Sequence, residues 1–456
     1  MKDVYGLILA AGQGKRMKSK HAKVMHILKG KPIIDYCVEA AKSVTDDITV
    51  VVGSNREEIM EHLEDRAKFC IQKEQLGSGD AAKSAVAMLP DAGTVLVLPG
   101  DVPLISKETI GEFVTYHRDG GYAVTILSCI MDDPSGYGRI VRDAGGNVRE
   151  IVEDRDASNE IKRIKEINSA VYCFELKYLK RALDMINNDN DQGEYYLTDT
   201  IAAVGGMGAS VGAFIGDESE LSGINDRVQL SDLERQMNRE IVEGWMREGV
   251  TVVDPDTTYI SREAVLGKDV VLQPGTMIEG ASEICGDAVI GPYTRIVSST
   301  VGSKTSVTYS IMLESSVGAN CTVGPFAYLR PNSHVADKVK IGDFVELKNS
   351  NIGEGTKVPH LAYVGDADIG SGVNFSCGAI TVNYDGKVKH RTKVADKAFI
   401  GCNANLVAPV EVAEGAFVAA GSTITDRVPE NALGIARGRQ TNIEGWVTKK
   451  FKKQGV

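Results

Sequence analysis

Short apolar runs alternate with segments of helical spacing through the first half of the chain. The runs cover residues 4–10, 48–52, 94–98, 122–127 and 171–174. Segments with apolar residues three and four positions apart, as at 32–43, 55–67 and 106–117, separate several of them. Strands that alternate with helical crossovers form mostly parallel sheets covered on both faces. The pattern predicts an α/β domain over residues 1–226.

A single amphipathic stripe follows this domain. Its apolar residues recur at steps of three and four and are Leu230, Leu233, Met237, Ile241 and Trp245. This is the spacing of one helix face, and Gly249 is a residue type that often ends a helix. We predict a linker helix over residues 227–249.

A six-residue period replaces both patterns beyond residue 250. The first run of aliphatic residues is Ile260, Leu266, Leu272, Ile278, Ile284, Ile290 and Ile296, and the period resumes over 317–347 and 394–424. Such a repeat is typical of a parallel β-helix, in which three hexapeptides make one 18-residue coil. Inward aliphatic side chains then stack in columns at about 4.8 Å. We predict about ten coils within a domain at residues 250–456.

One polar segment, 383–393, interrupts the period and predicts an outward loop. Insertions in repeat proteins collect on the binding face. The flat faces of a β-helix favour homo-oligomerisation, with ligands held between neighbouring copies.

Composition narrows the class of protein. The 456 residues are 43% hydrophobic and 25% charged, which is ordinary for globular domains and excludes a disordered, collagen-like or coiled-coil chain. The 62 acidic residues exceed the 51 basic ones, giving a net charge of −11. This balance argues against a broad nucleic-acid surface, although local cations can still bind a small phosphorylated molecule.

The cysteines and the first apolar run indicate the cellular compartment. The eight cysteines are scattered without a C-x-x-C pair, which suits reduced thiols. The apolar run at 4–11 precedes a basic stretch, the reverse of a signal peptide, and no window is long enough for a membrane helix. We therefore expect a soluble, cytoplasmic protein without a membrane span.

A glycine-containing loop follows the first predicted strand, with the sequence LAAGQGKRM at residues 9–17. Glycines allow close backbone approach to a ligand, and main-chain N–H groups with nearby cations can meet phosphate oxygens. Met17 stands where a dinucleotide fingerprint needs glycine, and the Gly-Lys-Ser/Thr of a P-loop is missing.

The loop, followed by Lys23, resembles the sugar nucleotidyltransferases. Further motifs agree in order, namely QKEQLGSG at 72–79, PGDVPL at 99–104, GYGR at 136–139, IVE at 151–153, EIN at 166–168 and GIN at 223–225. With the β-helix appended, the chain is similar over nearly its whole length to bacterial bifunctional N-acetylglucosamine-1-phosphate uridylyltransferase/glucosamine-1-phosphate acetyltransferases. The resemblance implies a Rossmann-like nucleotidyltransferase domain and a left-handed β-helix acetyltransferase domain.

For the uridylyltransferase half, the resemblance implies a set of ligand contacts. Uracil and ribose would be held by Leu9, Ala10, Ala11, Gly12, Gln72, Gly77 and Ser78. The phosphates would face Lys23 and Arg16, and the amino sugar would contact Gly138, Glu153 and Asn168. Asp101 and Asn225 would ligate Mg²⁺. A hard cation, lysine and arginine suit this chemistry because a phosphate must attack another phosphate against charge repulsion.

For the acetyltransferase half, the matching pieces are YLRPN at 328–332, FVELKN at 344–349, HLAYVGD at 360–366 and NYDG at 383–386. They imply that His360 is the general base toward the glucosamine ammonium, a step that suits a group titrating near neutrality. Arg330 and Lys348 would hold the sugar phosphate, with Tyr363 and Asn374 at the sugar hydroxyls. Acetyl-CoA would contact Cys377, Asn383, Tyr384, Cys402, Ala420 and Arg437.

Two of these positions carry further expectations. Arg330 and Lys348 are 18 residues apart, so we expect them to stack on neighbouring coils. Two adjacent cations with no carboxylate between them would favour a phosphate ligand. Cysteine at 377 and 402 replaces the alanine and serine of related enzymes, which preserves size and weakens hydrogen bonding.

The resemblance implies a homotrimer that acetylates glucosamine 1-phosphate and then couples the product to UTP. One alternative is a nucleotidyltransferase of other specificity with a regulatory β-helix, and another is a non-enzymatic scaffold like the translation exchange factor subunits. His360 argues against the first alternative, and Lys23, Asp101 and Asn225 argue against the second. The remaining histidines are interpreted as structural. The C-terminal lysines 449, 450, 452 and 453 are interpreted as a solvated tail, with contact to the 3′-phosphate of coenzyme A as the alternative.

Overall fold

The computed structural model describes residues 1–452. The chain divides into two compact units, one of residues Met1–Glu234 and one that begins at Arg235. Among the described residues, no helix is both long and apolar enough to cross a membrane.

The first unit alternates strands and helices. Its strands are β1 (Val4–Ala10), β2 (Ile27–Leu28), β3 (Lys31–Pro32), β4 (Ile48–Val52), β5 (Lys68–Ile71), β6 (Thr94–Pro99), β7 (Val124–Ile130), β8 (Arg139–Arg142), β9 (Val148–Val152), β10 (Glu166–Glu175) and β11 (Val211–Ile215). Its helices are α1 (Ile33–Ala41), α2 (Arg56–Leu63), α3 (Ser78–Val86), α4 (Lys107–Asp119), α5 (Leu176–Leu183) and α6 (Asp199–Gly206).

The main sheet has the strand order β11-β7-β10-β6-β1-β4-β5, with the β8–β9 hairpin attached beside β10. Its pairs are parallel except at β10, which is antiparallel to both neighbours. Successive residues of β1 belong to two different apolar clusters, since Leu7 packs on one face and Ile8 on the other, both fully buried. The α/β prediction of a mostly parallel sheet covered on both faces is confirmed.

Helix α7 (Arg227–Arg247) leads from the first unit into the second. The stripe residues Ile241 and Trp245 pack against the apolar core of the second unit, together with the buried Val242. Two residues after the helix, Gly249 has a φ of +96°. That left-handed conformation costs glycine little, which explains why the helix stops here.

The second unit is a parallel β-helix. In the described chain its strands form three parallel sheets, here called the first, second and third faces, of eleven, ten and nine strands. The first face contains Thr251–Val252, Val271–Leu272, Val289–Ile290, Ser306–Val307, Thr322–Val323, Lys340–Asp343, Lys357–His360, Asn374–Phe375, Phe399–Ile400, Phe417–Val418 and Leu433–Gly434. The second contains Tyr259–Ile260, Met277–Glu279, Arg295–Val297, Ile311–Leu313, Tyr328–Leu329, Glu346–Lys348, Tyr363–Gly365, Ile380–Val382, Asn405–Val407 and Thr423–Ile424. The third contains Val265–Leu266, Glu283–Ile284, Thr300–Val301, Ser316–Val317, His334–Val335, Asn351–Ile352, Ala367–Ile369, Thr392–Val394 and Val410–Val412.

The six-residue period is explained by the core of this unit. Every aliphatic residue of the first run from Ile260 to Ile296 is buried, and so are the small residues four places after the first six of them, such as Ala264 and Thr276. In-register pairs such as Leu272 with Ile290 stack these side chains in columns. The fold is a β-helix of hexapeptide repeats, consistent with the left-handed form that the resemblance implies.

The loop and the tail depart from the coils. Residues 383–391 lie between the strands Ile380–Val382 and Thr392–Val394, so the predicted interruption is confirmed over these residues, whereas Thr392 and Lys393 of the predicted loop belong to a strand. Near the end of the chain, helix α8 (Trp446–Lys452) is exposed along 446–451. The Lys450 ammonium lies 4.7 Å from the centre of the Trp446 ring. Lys453, part of the predicted solvated tail, lies outside the described residues.

Candidate active sites

The glycine loop lines a cavity at the carboxyl end of β1. Gly14 has a φ of +58°, and a Cβ there would come 2.8 Å from the Lys23 Cβ. Glycine therefore lets the loop lie against Lys23. The cavity has a volume of about 490 Å³. Of the predicted residues, its lining includes Leu9, Ala11, Gly12, Arg16, Lys23, Gln72, Gly77, Ser78 and Asn225.

One wall of this cavity is fixed by hydrogen bonds from Gln72 and Leu197. The Gln72 amide donates to the Gly77 carbonyl at 3.2 Å and to an Asp80 carboxylate oxygen at 2.7 Å. The Ser78 hydroxyl accepts a bond from the Leu197 N–H at 3.0 Å. At Gly77, with φ +117°, a Cβ would come 2.5 Å from the Tyr195 carbonyl oxygen. Gly77 thus permits a close backbone approach that shapes the wall.

Three residues from distant parts of the sequence, Lys23, Asp101 and Asn225, meet beside this cavity. The Lys23 ammonium forms an ion pair with the Asp101 carboxylate and lies 3.4 Å from Asn225 Oδ1. Arg16 Nη2 donates to the same Asn225 oxygen at 2.8 Å. The Lys23 and Asp101 side chains are only 16% and 20% exposed, so little water separates these charges.

The Asp101 and Asn225 oxygens fit a hard cation, because both already converge on one positive group, the Lys23 ammonium. Mg²⁺ is commonly held by one or two protein carboxylates, with substrate phosphates and water completing its shell. In residues 1–452, no group of three or more His, Cys, Asp or Glu side chains could hold a metal without such help.

A smaller cavity of about 220 Å³ adjoins the first and shares Leu9, Gly12, Lys23 and Ser78 with it. The other predicted residues in its lining are Ala10, Asp101, Glu153 and Asn168. The Thr198 hydroxyl donates to Glu153 at 3.0 Å, and burial raises the pKa of Glu153. The Asn168 amide donates to the Tyr172 hydroxyl at 2.7 Å. This cavity therefore offers a half-buried carboxyl and an amide to a polar ligand.

Gly138 lies behind this cavity and is not part of its lining. Its carbonyl accepts the Asn168 N–H at 2.9 Å, and a Cβ at this position would come 3.0 Å from Ile151 Cγ2. The structure thus gives Gly138 a supporting position beside Asn168.

In the β-helix, the predicted base and four predicted acetyl-CoA residues lie along one edge. His360 pairs in register with Asp343, and its Nδ1 contacts the Asp343 carboxylate. Backbone bonds from Asn403 to the Cys377 carbonyl and from Gly421 to the Cys402 carbonyl join later coils of the same edge.

The end of this edge is closed by a bond from Arg437 Nη1 to the Ala420 carbonyl at 2.9 Å. The predicted acetyl-CoA positions Cys377, Cys402, Ala420 and Arg437 thus fall on consecutive coils.

The predicted pair of cations stacks as expected, but the expectation of no carboxylate between them is wrong. The Arg330 N–H donates to the Leu347 carbonyl, which places Arg330 beside Lys348 on neighbouring coils. Arg330 Nη1 lies 2.8 Å from Glu346, and Lys348 Nζ lies 3.1 Å from Asp366. Glu346 reaches Arg330 because it sits two residues before Lys348 on the same strand, where alternate side chains share a face.

The polar loop adds a third cation to this corner. Contact with the Lys348 ammonium lowers the pKa of Lys389, because two like charges oppose each other. Arg330 contributes in the same direction. Three cations against two carboxylates leave a positively charged corner that suits an anion.

The remaining predicted residues are near this corner or on its coils. The Asn383 amide donates to Asp366 and lies 3.4 Å from the Tyr363 hydroxyl. Asn374 donates to the Ser376 hydroxyl at 2.8 Å, and Tyr384 is 56% exposed on the loop.

Comparison with known proteins covers the whole length of the chain. The family model of the MobA-like NTP transferase domain matches residues 6–158. Over 454 residues, the chain is 54% identical to the bifunctional protein GlmU of Caldanaerobacter subterraneus subsp. tengcongensis, with 99% of both chains covered. It is 53% identical to GlmU of Thermoanaerobacter pseudethanolicus, again over 99% of both chains. The identity to GlmU of Brevibacillus brevis is 48%, with both chains covered in full.

The chain belongs to the GlmU family of bifunctional proteins. Membership agrees with the resemblance inferred from the motifs and with both halves of the fold.

Several residues that contact the predicted site residues of this GlmU family member were not singled out from the sequence, although Glu346 and Asp366 stand inside quoted motifs. They are Asp80, Thr198, Asp343, Glu346, Asp366 and Lys389, each of which contacts a predicted site residue. Glu346, Asp366 and Asp343 come from coils next to those of their partners. A register of 17 or 18 residues, applied to His360 and Lys348, is the signal that would have found Asp343 and Asp366. Glu346 lies 16 residues after Arg330, so this register does not lead directly to it.

Proposed function

We propose that this chain acetylates glucosamine 1-phosphate with acetyl-CoA in the β-helix. We further propose that its α/β unit transfers UMP from UTP to the resulting N-acetylglucosamine 1-phosphate. The products are coenzyme A, UDP-N-acetylglucosamine and pyrophosphate. The observation that carries the proposal is the 54% identity to a bifunctional GlmU over 99% of both chains, because it leaves neither half without a counterpart.

In the first reaction, His360 removes a proton from the glucosamine ammonium. The freed amine attacks the thioester carbon, the C–S bond breaks, and coenzyme A leaves as a thiol after taking up a proton. The charged corner of Arg330, Lys348 and Lys389 supports a binding position for the sugar phosphate. Tyr363 and Asn374 are assigned to the sugar hydroxyls. The edge from Cys377 to Ala420, with Arg437, Asn383 and Tyr384, is assigned to acetyl-CoA.

In the second reaction, a phosphate oxygen of N-acetylglucosamine 1-phosphate attacks the α-phosphorus of UTP. The bond to the leaving pyrophosphate breaks, and no general base is needed because the attacking phosphate is already ionised. Lys23 and Arg16 neutralise the phosphates, while the half-buried carboxyl of Glu153 and the amide of Asn168 bind the amino sugar. The backbone of Leu9–Gly12, with Gln72, Gly77 and Ser78, is assigned to the uridine.

Asp101 and Asn225 are the residues that would hold Mg²⁺, since their oxygens already converge on one cation, the Lys23 ammonium. When bound, a hard divalent ion neutralises charge on transferring phosphates.

We also propose that the protein is cytoplasmic, since its proposed substrates are cytosolic metabolites. We further propose that it is a homotrimer. An exposed ladder of stacked rings on one edge of the β-helix supports self-association. It consists of Tyr293, Tyr309, Phe326 and Phe344, with centroids 5.3–5.8 Å apart. Exposed apolar patches of this kind often mark protein interfaces.

Two separate assays test the proposed function. Thiol release from acetyl-CoA and glucosamine 1-phosphate, measured without UTP, reports the first reaction. Pyrophosphate release from UTP and N-acetylglucosamine 1-phosphate reports the second. We expect both activities. A nucleotidyltransferase with a regulatory β-helix would give pyrophosphate alone, and a non-enzymatic scaffold would give neither product.

A further inference from the structure

Two neighbouring strands of the first face are longer than the rest. Lys340–Asp343 and Lys357–His360 each have four residues, whereas the other strands of that face in the described chain have two. Their parallel pairing continues to the last residue of each strand, which puts Asp343 opposite His360.

The backbones approach closely where this pairing is extended. A Cβ at Gly342 would lie 1.8 Å from the Pro359 carbonyl oxygen, a distance that no side chain allows. Glycine is therefore required directly before Asp343. This local geometry brings the side chains of Asp343 and His360 together.

The contact itself defines which imidazole nitrogen carries a proton. The hydrogen bond to His360 lowers the pKa of Asp343, with a smaller effect from Lys340, so the carboxyl group is ionised near neutrality. An ionised carboxylate can only accept hydrogen bonds. In a neutral His360, Nδ1 must then donate to Asp343, and the lone pair lies on Nε2.

We propose that Asp343 is a positioning residue for acetyl transfer. It holds the His360 ring and fixes the tautomer in which Nε2 accepts the proton from the substrate ammonium. The negative charge of Asp343 also stabilises the imidazolium that forms in this step. The proposal rests on the proposed acetyltransferase function, and it adds the residue that makes an exposed histidine an oriented base.

On the coil that follows His360, the position aligned with His360 is Cys377. This alignment follows because Lys357 pairs with Asn374 and Tyr363 pairs with Ile380. Asp343 on the preceding coil is thus the carboxylate that contacts the His360 ring, and the following coil has a thiol, Cys377, at the aligned position. Replacing Asp343 therefore removes the carboxylate that contacts the His360 ring, and the coil on the other side of His360 has no carboxylate at this position to take its place.

The test compares Asp343→Ala and Asp343→Asn with the wild type in the thiol-release assay, from about pH 5.5 to pH 9. We expect kcat of Asp343→Ala to fall about tenfold to a hundredfold, with KM for both substrates unchanged. In Asp343→Asn the amide oxygen can still accept from Nδ1, but the amide NH₂ can also donate to Nδ1 and hold the wrong tautomer, so we expect a loss of kcat at least as large. Removing the anion disfavours the imidazolium, and the acidic limb of kcat/KM should move to lower pH by about half a unit or more.

The controls separate this role from a structural one. Glu354→Gln removes a β-helix carboxylate that pairs with Lys338 at 2.7 Å, and we expect it to leave the pH profile unchanged. In a His360→Ala background, adding Asp343→Ala should cause no further loss. An unshifted pH profile with unchanged kcat, or an increase in KM alone, would overturn the proposal. If the wild type itself releases no thiol, the proposed acetyltransferase function fails instead.

Discussion

Replacing His360 by alanine is expected to abolish acetyl transfer and to leave uridylyl transfer nearly intact. A positioned general base contributes roughly 10²- to 10⁴-fold to a rate. At about 1.36 kcal/mol per tenfold, this is a barrier increase of roughly 3 to 5 kcal/mol. The His360 side chain is 54% exposed and contacts Asp343 at the edge of a coil, so its removal opens no core cavity. The free energy of unfolding should therefore change by no more than about 0.5 kcal/mol.

A matched histidine gives the control for this variant. His334 is exposed and bonds through Nδ1 to the Ser316 hydroxyl at 2.9 Å, on the preceding coil, as His360 does to Asp343. We expect His334→Ala to keep both activities. Thiol release and pyrophosphate release should be measured on both variants, with thermal unfolding as the check on folding. Loss of both activities in His360→Ala, or an equal loss of acetyl transfer in His334→Ala, would refute the assignment of the base.

Three other predictions concern the remaining site residues. Asp101→Ala should abolish pyrophosphate release and retain thiol release, because it removes an oxygen ligand and the ionic partner of the site lysine; loss of both activities would contradict separate sites. Burial raises the pKa of Glu153 above its ordinary 4.5, so its ionised form costs stability as pH rises through and beyond that value. Glu153→Gln should consequently melt at a higher temperature than the wild type at pH 7 and at the same temperature at pH 4. Its KM for N-acetylglucosamine 1-phosphate should rise. An equal melting temperature at pH 7, measured by calorimetry, would contradict the argument that burial disfavours the ionised Glu153. Acetyl-CoA should slow iodoacetamide alkylation of Cys377 and the exposed Cys402, read by peptide mass spectrometry, and leave the half-exposed Cys285 unprotected; equal rates with and without acetyl-CoA would count against their assigned position.

The periodic parts of the fold could be predicted from sequence because each repeat buries the same kind of residue. Ile260, Leu266 and Leu272 must point inward for any coil to form, so their spacing determines the strands. The antiparallel direction of β10 could not be read in this way. A buried strand has the same apolar run in either direction, and the chain reversal depends on packing between β6 and β7.

The sequence predicted the site residues that stand in or next to recognisable motifs. Asp101 and Asn225 stand in two separate motifs and Lys23 follows a third, and the structure brings the three residues together. The carboxylate partners of Arg330 and Lys348 were missed because they depend on which outward side chains the coil register aligns. The same reasoning applies to Asp343, which lies outside the quoted motifs and is recognised only opposite His360.

The proposed function requires that one chain carries out two reactions in sequence. The most direct test supplies glucosamine 1-phosphate, UTP, Mg²⁺ and acetyl-CoA with a ¹³C-labelled acetyl group, and measures the nucleotide sugar by mass spectrometry. We predict UDP-N-acetylglucosamine that carries the label, and no nucleotide sugar when acetyl-CoA is omitted. A nucleotide sugar without the label, or formation of UDP-glucosamine at a similar rate without acetyl-CoA, would contradict the account.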